Sequence, residues 1–404
     1  MIQLVLHSRR HSINQFNVVS KTICYPVARL AAAVVLAAVV ARGADTPAKF
    51  LGANSCASSG CHGGGGAKQN QFLVWSLQDV HARRPAATLT TARSKQIAEA
   101  LELKDPAADA RCTACHSPLL AVPEQSRGGS FNPGEAVSCE SCHGPAEHWL
   151  RAHTRSDWTR ADRTSAGLRD LQNLYVRANT CVACHQVMAQ PLLLAGHPEL
   201  IFELDGQSVA EPKHWGAEKH GPGAQAWLVG QAVALREMSW ELAHEKAPSQ
   251  SQINRWAGLA WLLQTALPNR PMPPPPPTLP GKAAEAAPGL QSWSDEVARD
   301  AAAADWSPER THALLSALAD SGPSFHAAVG SRDLLARRAE RLVLALDRLV
   351  TALPELKSNA PAQSALNELF QLAQSVSDFD PVKFTAALER FSRAMAGPAP
   401  AGRP

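Results

Sequence analysis

The stretch "CESCHGPAEH", Cys139 to His148, sets two cysteines and two histidines within ten residues. Its first half is Cys-x-x-Cys-His, the spacing of a covalent haem attachment site. Each sulfur can form a thioether to one of two vinyl groups on the same edge of a rigid porphyrin. The histidine that follows is then held under the ring, where a nitrogen can bind the iron. The pattern recurs at Cys112, Cys115 and His116, and again at Cys181, Cys184 and His185. Cys56, Cys61 and His62 repeat it with a four-residue spacer, which still spans the ring edge if the loop bulges. Of nine cysteines in the chain, eight fall into these four pairs, each followed at once by histidine. Zinc sites use paired cysteines but need no histidine at the next position. Disulfides need no histidine at all. Four covalent haem c groups are therefore expected, with eight cysteines as attachment points and His62, His116, His143 and His185 as proximal ligands.

A second ligand for each iron must come from the opposite face. His143 and His148 are too close in the chain to bind one iron, because "GPAE" cannot wrap a macrocycle edge. His148, as a ligand, would bind a different haem and so cross-link two of them. Six further histidines lie where they can reach a haem: His81, His148, His153, His197, His214 and His220. His244 reads as an exposed helix residue, and His312 and His326 as polar residues of tail helices. Met188 is the one methionine of the haem region, and it follows His185 too closely to cap the same iron. Histidine is thus the expected sixth ligand at most irons, which favours low potentials over methionine ligation.

The elements that must position these groups are sparse at first and then wholly helical. Residues 1–44 read as a signal peptide, with a basic n-region and the 11-residue apolar run "LAAAVVLAAVV". A membrane-spanning helix needs about 20 apolar residues, so no stable span is expected after cleavage. Cys24 falls in this removed segment. Export matches the chemistry, since haem c is attached outside the bacterial cytoplasm, and a periplasmic location is expected. The formal charge of +3 becomes 34 basic against 36 acidic residues once the five basic residues of the leader are gone. Haem propionates take the protein to about −6 oxidised and about −10 reduced. A nucleic-acid surface is not indicated; a redox partner with a basic patch is.

Residues 45–222 hold all four motifs amid Gly, Pro and Ser, with short helical patterns over 91–104 and 164–179. So few aliphatics cannot fill a core, and four macrocycles would supply the apolar volume, making folding depend on the bound group. Residues 223–266 read as an amphipathic helix, with Leu228, Leu235, Met238 and Leu242 in one stripe, and its partner. "LPNRPMPPPPPTLPG" (267–281) reads as an extended linker. A helical C-terminal domain, 282–404, follows, its clearest helix over 331–353 and its last capped by Asp380 before Pro381. The fold class is mainly α: a haem-packed domain with little regular structure, then a helical region. No strand pattern, phosphate loop, nucleophile elbow or paired-carboxylate signature is present.

The order of "FLGANSCASSGCH", "WSLQDVHA", "SCESCHGPAEH" and "NTCVACH" resembles the multihaem cytochromes c of the cytochrome c-554 type. "AGHPELIFELD" and "EPKHW" resemble recurring segments of related multihaem proteins. The likeness covers roughly 50–222; the longer first spacer and the tail beyond 281 depart from it. The resemblance implies His81, His148 and His197 as distal ligands, with His153 and His214 as weaker candidates for a fourth. It implies an electron carrier between redox partners, with no catalytic residue and every iron six-coordinate. The rival expectation is an oxidoreductase with one five-coordinate haem acting on a small nitrogen or sulfur compound, with His153 or His220 as proton donor. A third is a docking role for the C-terminal helices.

Overall fold

A computed structural model describes residues 47–66, 69–186, 188–215, 223–274, 280–326 and 330–395. The leader, Cys24, His220 and the centre of the proline run lie outside the described residues. Met1–Pro47 is divided off as a unit of its own, of which only Pro47 is described. The second unit runs from Ala48 onward.

The first half of that unit is a set of short helices on turns. They include α1 (Gln71–Gln78), α2 (Ala110–His116), α3 (Cys139–His143) and α4 (Leu174–His185). Among the described residues there is no strand, only an isolated bridge between Phe50 and Arg127. Local chemistry sets the helix starts. The Asp109 side chain accepts from Arg111 N at 2.9 Å ahead of α2, and Asn173 Oδ1 accepts from Tyr175 N and Val176 N ahead of α4. Such caps satisfy amides that have no partner within the helix. The helix expected over 164–179 is in fact two. Arg160–Ser165 ends at Gly167, whose φ of +97° breaks the helix, and α4 starts afresh at Leu174. It then runs through the fourth motif to His185 rather than stopping before it.

The second half is a helix bundle: α5 (Leu204–Ala210), α6 (Ala224–His244), α7 (Gln250–Ala266), α8 (Pro280–Ala303), α9 (Pro308–Ala319), α10 (Arg332–Thr351), α11 (Ala360–Ala373) and α12 (Pro381–Met395). Asp380 Oδ1 caps α12, accepting from Val382 N at 3.0 Å and Lys383 N at 3.1 Å. The stripe expected on α6 is too narrow a description. Every residue from Ala224 to Leu235 is buried, so this part of α6 is covered on all sides, by α4, α5, α7 and α8. Small side chains permit the approach: a Cβ added at Gly230 would sit 2.8 Å from the Leu204 Cβ.

One continuous hydrophobic core runs from Leu174 to Phe391. It draws on α4 and α6 as well as α8 through α12, so the boundary placed at the proline run does not divide the core. α8 already begins at Pro280, and Trp293 Nε1 donates to Pro271 O at 2.8 Å across the run. The motif-bearing half before Leu174 contributes nothing to this core. Its own buried apolar residues are scattered, and Leu77, Val80 and Leu120 stand exposed there. Among the described residues no helix is long and apolar enough to cross a membrane.

Candidate haem sites

Three motifs sit at helix C-termini. Cys112, Cys115 and His116 close α2, Cys139 to His143 are α3 itself, and Cys181, Cys184 and His185 close α4. A helical Cys-x-x-Cys sets the two sulfurs three residues apart on one face, with the next residue turned beside them. The first motif has no helix to do this, and its longer spacer folds into a turn. Cys61 N donates to Ser58 O at 2.9 Å and His62 N returns to Cys56 O at 3.1 Å. Gly63 closes the turn, and a Cβ there would lie 1.9 Å from Ala57 O, so only glycine fits.

The imidazoles come together in pairs, each of one motif histidine with one from elsewhere. His62 faces His153 with ring centroids 6.1 Å apart, His185 faces His81 at 6.1 Å, and His116 faces His197 at 6.4 Å. Direct aromatic stacking or edge contact brings rings to within about 4.5–7 Å, so the distance alone does not single out a metal. Two imidazoles on one metal, with bonds of about 2 Å and ring centres about 1 Å beyond each nitrogen, also place their centroids about 6 Å apart. The nitrogen positions match what a metal pair requires. His62 Nδ1 lies 2.9 Å from Gln71 Oε1, His116 Nδ1 2.8 Å from Pro85 O, and His153 Nδ1 3.1 Å from Trp149 O. His197 Nδ1 lies 2.8 Å from Pro198 O, and His81 Nδ1 3.0 Å from Asp79 Oδ1. In each the N–H is engaged at Nδ1, which leaves the Nε2 lone pair for a metal. His185 Nδ1 lies 3.3 Å from Gln207 Nε2, while Gln207 Oε1 is buried without a partner. Turning that amide over puts the oxygen on the ring N–H and satisfies both groups.

The fourth motif histidine, His143, differs. Among the described residues no ring faces it at such spacing. Burial holds its pKa down at about 4, helped by the charges of His214, His62, Arg169 and His153. His214 is the foremost of these neighbours, and its Nδ1 lies 3.1 Å from Pro212 O, again leaving Nε2. His148 is exposed on the turn after α3; the ring that stacks on His62 belongs to His153, five residues on.

All eight described cysteines are free thiols. Sulfurs of different motifs meet in two places. The hydrogen bond with Cys139 lowers the Cys56 thiol and raises its partner, and the one between Cys115 and Cys184 brings Cys115 down to about 7 and raises Cys184. Burial lifts Cys142 to about 12 and Cys181 to about 11.

Several residues of the site carry no motif. Glu140 lies inside the third motif and is buried. Its carboxylate accepts from Leu51 N at 2.9 Å, Gly52 N at 2.6 Å and Ala146 N at 2.7 Å, and Glu135 accepts from Ala53 N at 3.1 Å. These carboxylates fasten the segment leading to Cys56 onto the third motif and the turn before it. Asp79 is buried beside His81. Burial would raise its carboxyl, but the hydrogen bonds from His81 outweigh this and hold it below the ordinary range. A carboxylate two residues from a ligand-type histidine was the available signal for Asp79.

The residues present thus fit haem c: paired thiols with a histidine beside them, imidazole pairs with centroids 6.1–6.4 Å apart and Nδ1 engaged elsewhere, and exposed aliphatics in the same half. No curated protein and no solved structure gives a match. Residues 55–144, which span the first three motifs, match the family model described as cytochrome c554 and c-prime. Over that stretch the chain is similar to the c-type cytochromes of this family, and its described fold is mainly α.

Proposed function

We propose that the protein is an exported, periplasmic electron carrier with four covalent haem c groups, of which three are bis-histidine. Bound haem supplies a one-electron iron couple; the chain holds, orients and shields it. Cys56 and Cys61, Cys112 and Cys115, Cys139 and Cys142, and Cys181 and Cys184 are the tethers. His62 with His153, His116 with His197, and His185 with His81 would each hold an iron between them. The single observation that carries this reading is the set of three histidine pairs at 6.1–6.4 Å with Nδ1 engaged.

The contacts between motifs support an order for the relay. The first motif meets the third through Cys56 and Cys139, and the second meets the fourth through Cys115 and Cys184. Cys142 of the third also feels Cys181 of the fourth. Electrons would pass along first, third, fourth and second motifs, between redox protein partners at the ends.

One observation favours a second reading. His143 lacks a facing ring among the described residues, so its iron is the candidate for an open position that binds a small nitrogen or sulfur compound. Electron paramagnetic resonance of the mature protein tests both. Uniformly low-spin signals unaffected by carbon monoxide support the carrier alone. One high-spin ferric signal, lost on ligand addition, supports the open site. Absence of iron signals overturns both.

A further inference from the structure

Among the candidate ligand imidazoles other than His185, five lean on a neutral acceptor at Nδ1: a backbone carbonyl for His116, His153, His197 and His214, and an amide for His62. His81 is the exception. Its Nδ1 lies 3.0 Å from Asp79 Oδ1, and that same oxygen accepts from His81 N at 2.9 Å. The two bonds close an Asx turn that fixes the ring relative to its own backbone. The Asp79 side chain is only 3% exposed, so water neither screens its charge nor competes for the ring N–H. Across the pair, His185 has only the Gln207 amide at its Nδ1.

We propose that Asp79 is a positioning residue for the iron held between His81 and His185, and that its carboxylate makes this the lowest-potential of the three paired centres. The inference rests on the reading of His81 and His185 as ligands of one iron. The physical cause is charge. A buried carboxylate on Nδ1–H draws that proton towards itself and gives the imidazole anionic character. An anionic ligand stabilises the more positive ferric state over the ferrous one, and so opposes reduction. A neutral carbonyl does this weakly, so the other two pairs lack the effect. The centre lies in the interior of the proposed relay, at the fourth motif. Reaching it from the second-motif centre would therefore be an uphill step, to which the Asp79 carboxylate contributes, with Glu211 nearby.

The test uses the mature, haem-loaded protein. Potentiometric titration followed in the visible spectrum resolves the separate one-electron components. Asp79→Asn keeps a hydrogen-bonding group of the same shape and removes the charge. One component, the lowest of the three paired centres, is expected to move to higher potential while the others stay, and one low-spin resonance signal changes its g values. Asp79→Glu, which restores a carboxylate, is expected to bring the component back towards its original position. No movement in Asp79→Asn, or equal movement of all components, overturns the proposal. His81→Ala separates this from the ligand assignment. If it turns no haem high-spin, the pairing with His185 is wrong. If it does so while Asp79→Asn leaves every potential in place, only the role of Asp79 fails.

Discussion

The pairing of His62 with His153 depends on where a five-residue excursion lands. After α3 the chain turns through Gly144, whose φ is +84°, and Ala146 and Trp149 become buried while His148 is turned outward. His153 N donates to Trp149 O at 2.9 Å, which points its ring back onto His62. Changing His153 to Ala is therefore expected to open the iron at His62, giving one new high-spin ferric signal, whereas the same change at His148 leaves that iron low-spin. The ring planes add a finer expectation. The His62 pair is inclined by only 20°, and the His81 and His116 pairs by 82° and 75°. Near-parallel ligand planes lift the degeneracy of the iron π orbitals and near-perpendicular ones preserve it. One rhombic signal and two strongly anisotropic ones should appear; three rhombic signals would contradict the geometry. Glu140 makes a separate prediction. Glu140→Ala strands three backbone amides, at about 1–3 kcal/mol for each buried group left unpaired, so a loss of about 3 kcal/mol or more in denaturant unfolding is expected. At this scale the attachment cysteines and their histidines were legible, because covalent attachment fixes their spacing in the chain. Gln71 and Gln207 were not, because a hydrogen bond to a ligand can come from any direction; Asp79 carried a local signal, two residues before His81, that went unread.

Helix starts with capping side chains, as at Asp380, could be read locally; the interruption at Gly167 and the all-round burial of α6 could not, since both follow from what packs alongside. The contact of α4 with α6 and α8 is polar at its edge. Tyr175 Oη donates to Asp295 Oδ1 at 2.6 Å, and Arg236 donates to Asp295 at 2.8 Å and also to Asn179. Removing Asp295 leaves the mostly buried Arg236 without one of its carboxylates. Asp295→Ala is expected to cost about 2 kcal/mol in thermal or chemical unfolding, with the haem spectrum unchanged at low temperature. At the N-cap of α5, burial raises the Glu203 carboxyl to about 7, with Asp205 adding to the effect and Arg341 and Gln231 opposing it. Its folded pKa is above the value of about 4.3 in an unfolded chain. The neutral form is the one the fold accepts, so the contribution is fully present below that value and is lost as pH rises through about 7. Wild type should lose on the order of 2–3 kcal/mol between pH 5 and pH 8 relative to Glu203→Gln. Identical pH profiles for the two proteins would show that Glu203 ionises freely.

Across the whole molecule, the half that bears the motifs and the half that bears the oily core are different parts of one chain. The core from Leu174 to Phe391 is closed without any residue of the first three motifs, and α4 is the shared element that carries the fourth motif into it. This predicts an asymmetric result from ending the chain after residue 281. α6 and α7 would lose the partners that cover them, so the shortened protein should aggregate or unfold, and a truncated chain that stays soluble with its haems intact would mean the tail is dispensable for folding. The division of labour was legible in composition, from the scarcity of aliphatics before Leu174. The joining of both sides of the proline run into one core was not, because a proline-rich stretch looks the same whether it separates domains or bridges them. The most direct measurement is the intact mass of the matured protein. It should exceed the bare polypeptide by four haem c groups; a mass equal to the polypeptide alone would contradict the assignment of every thiol pair.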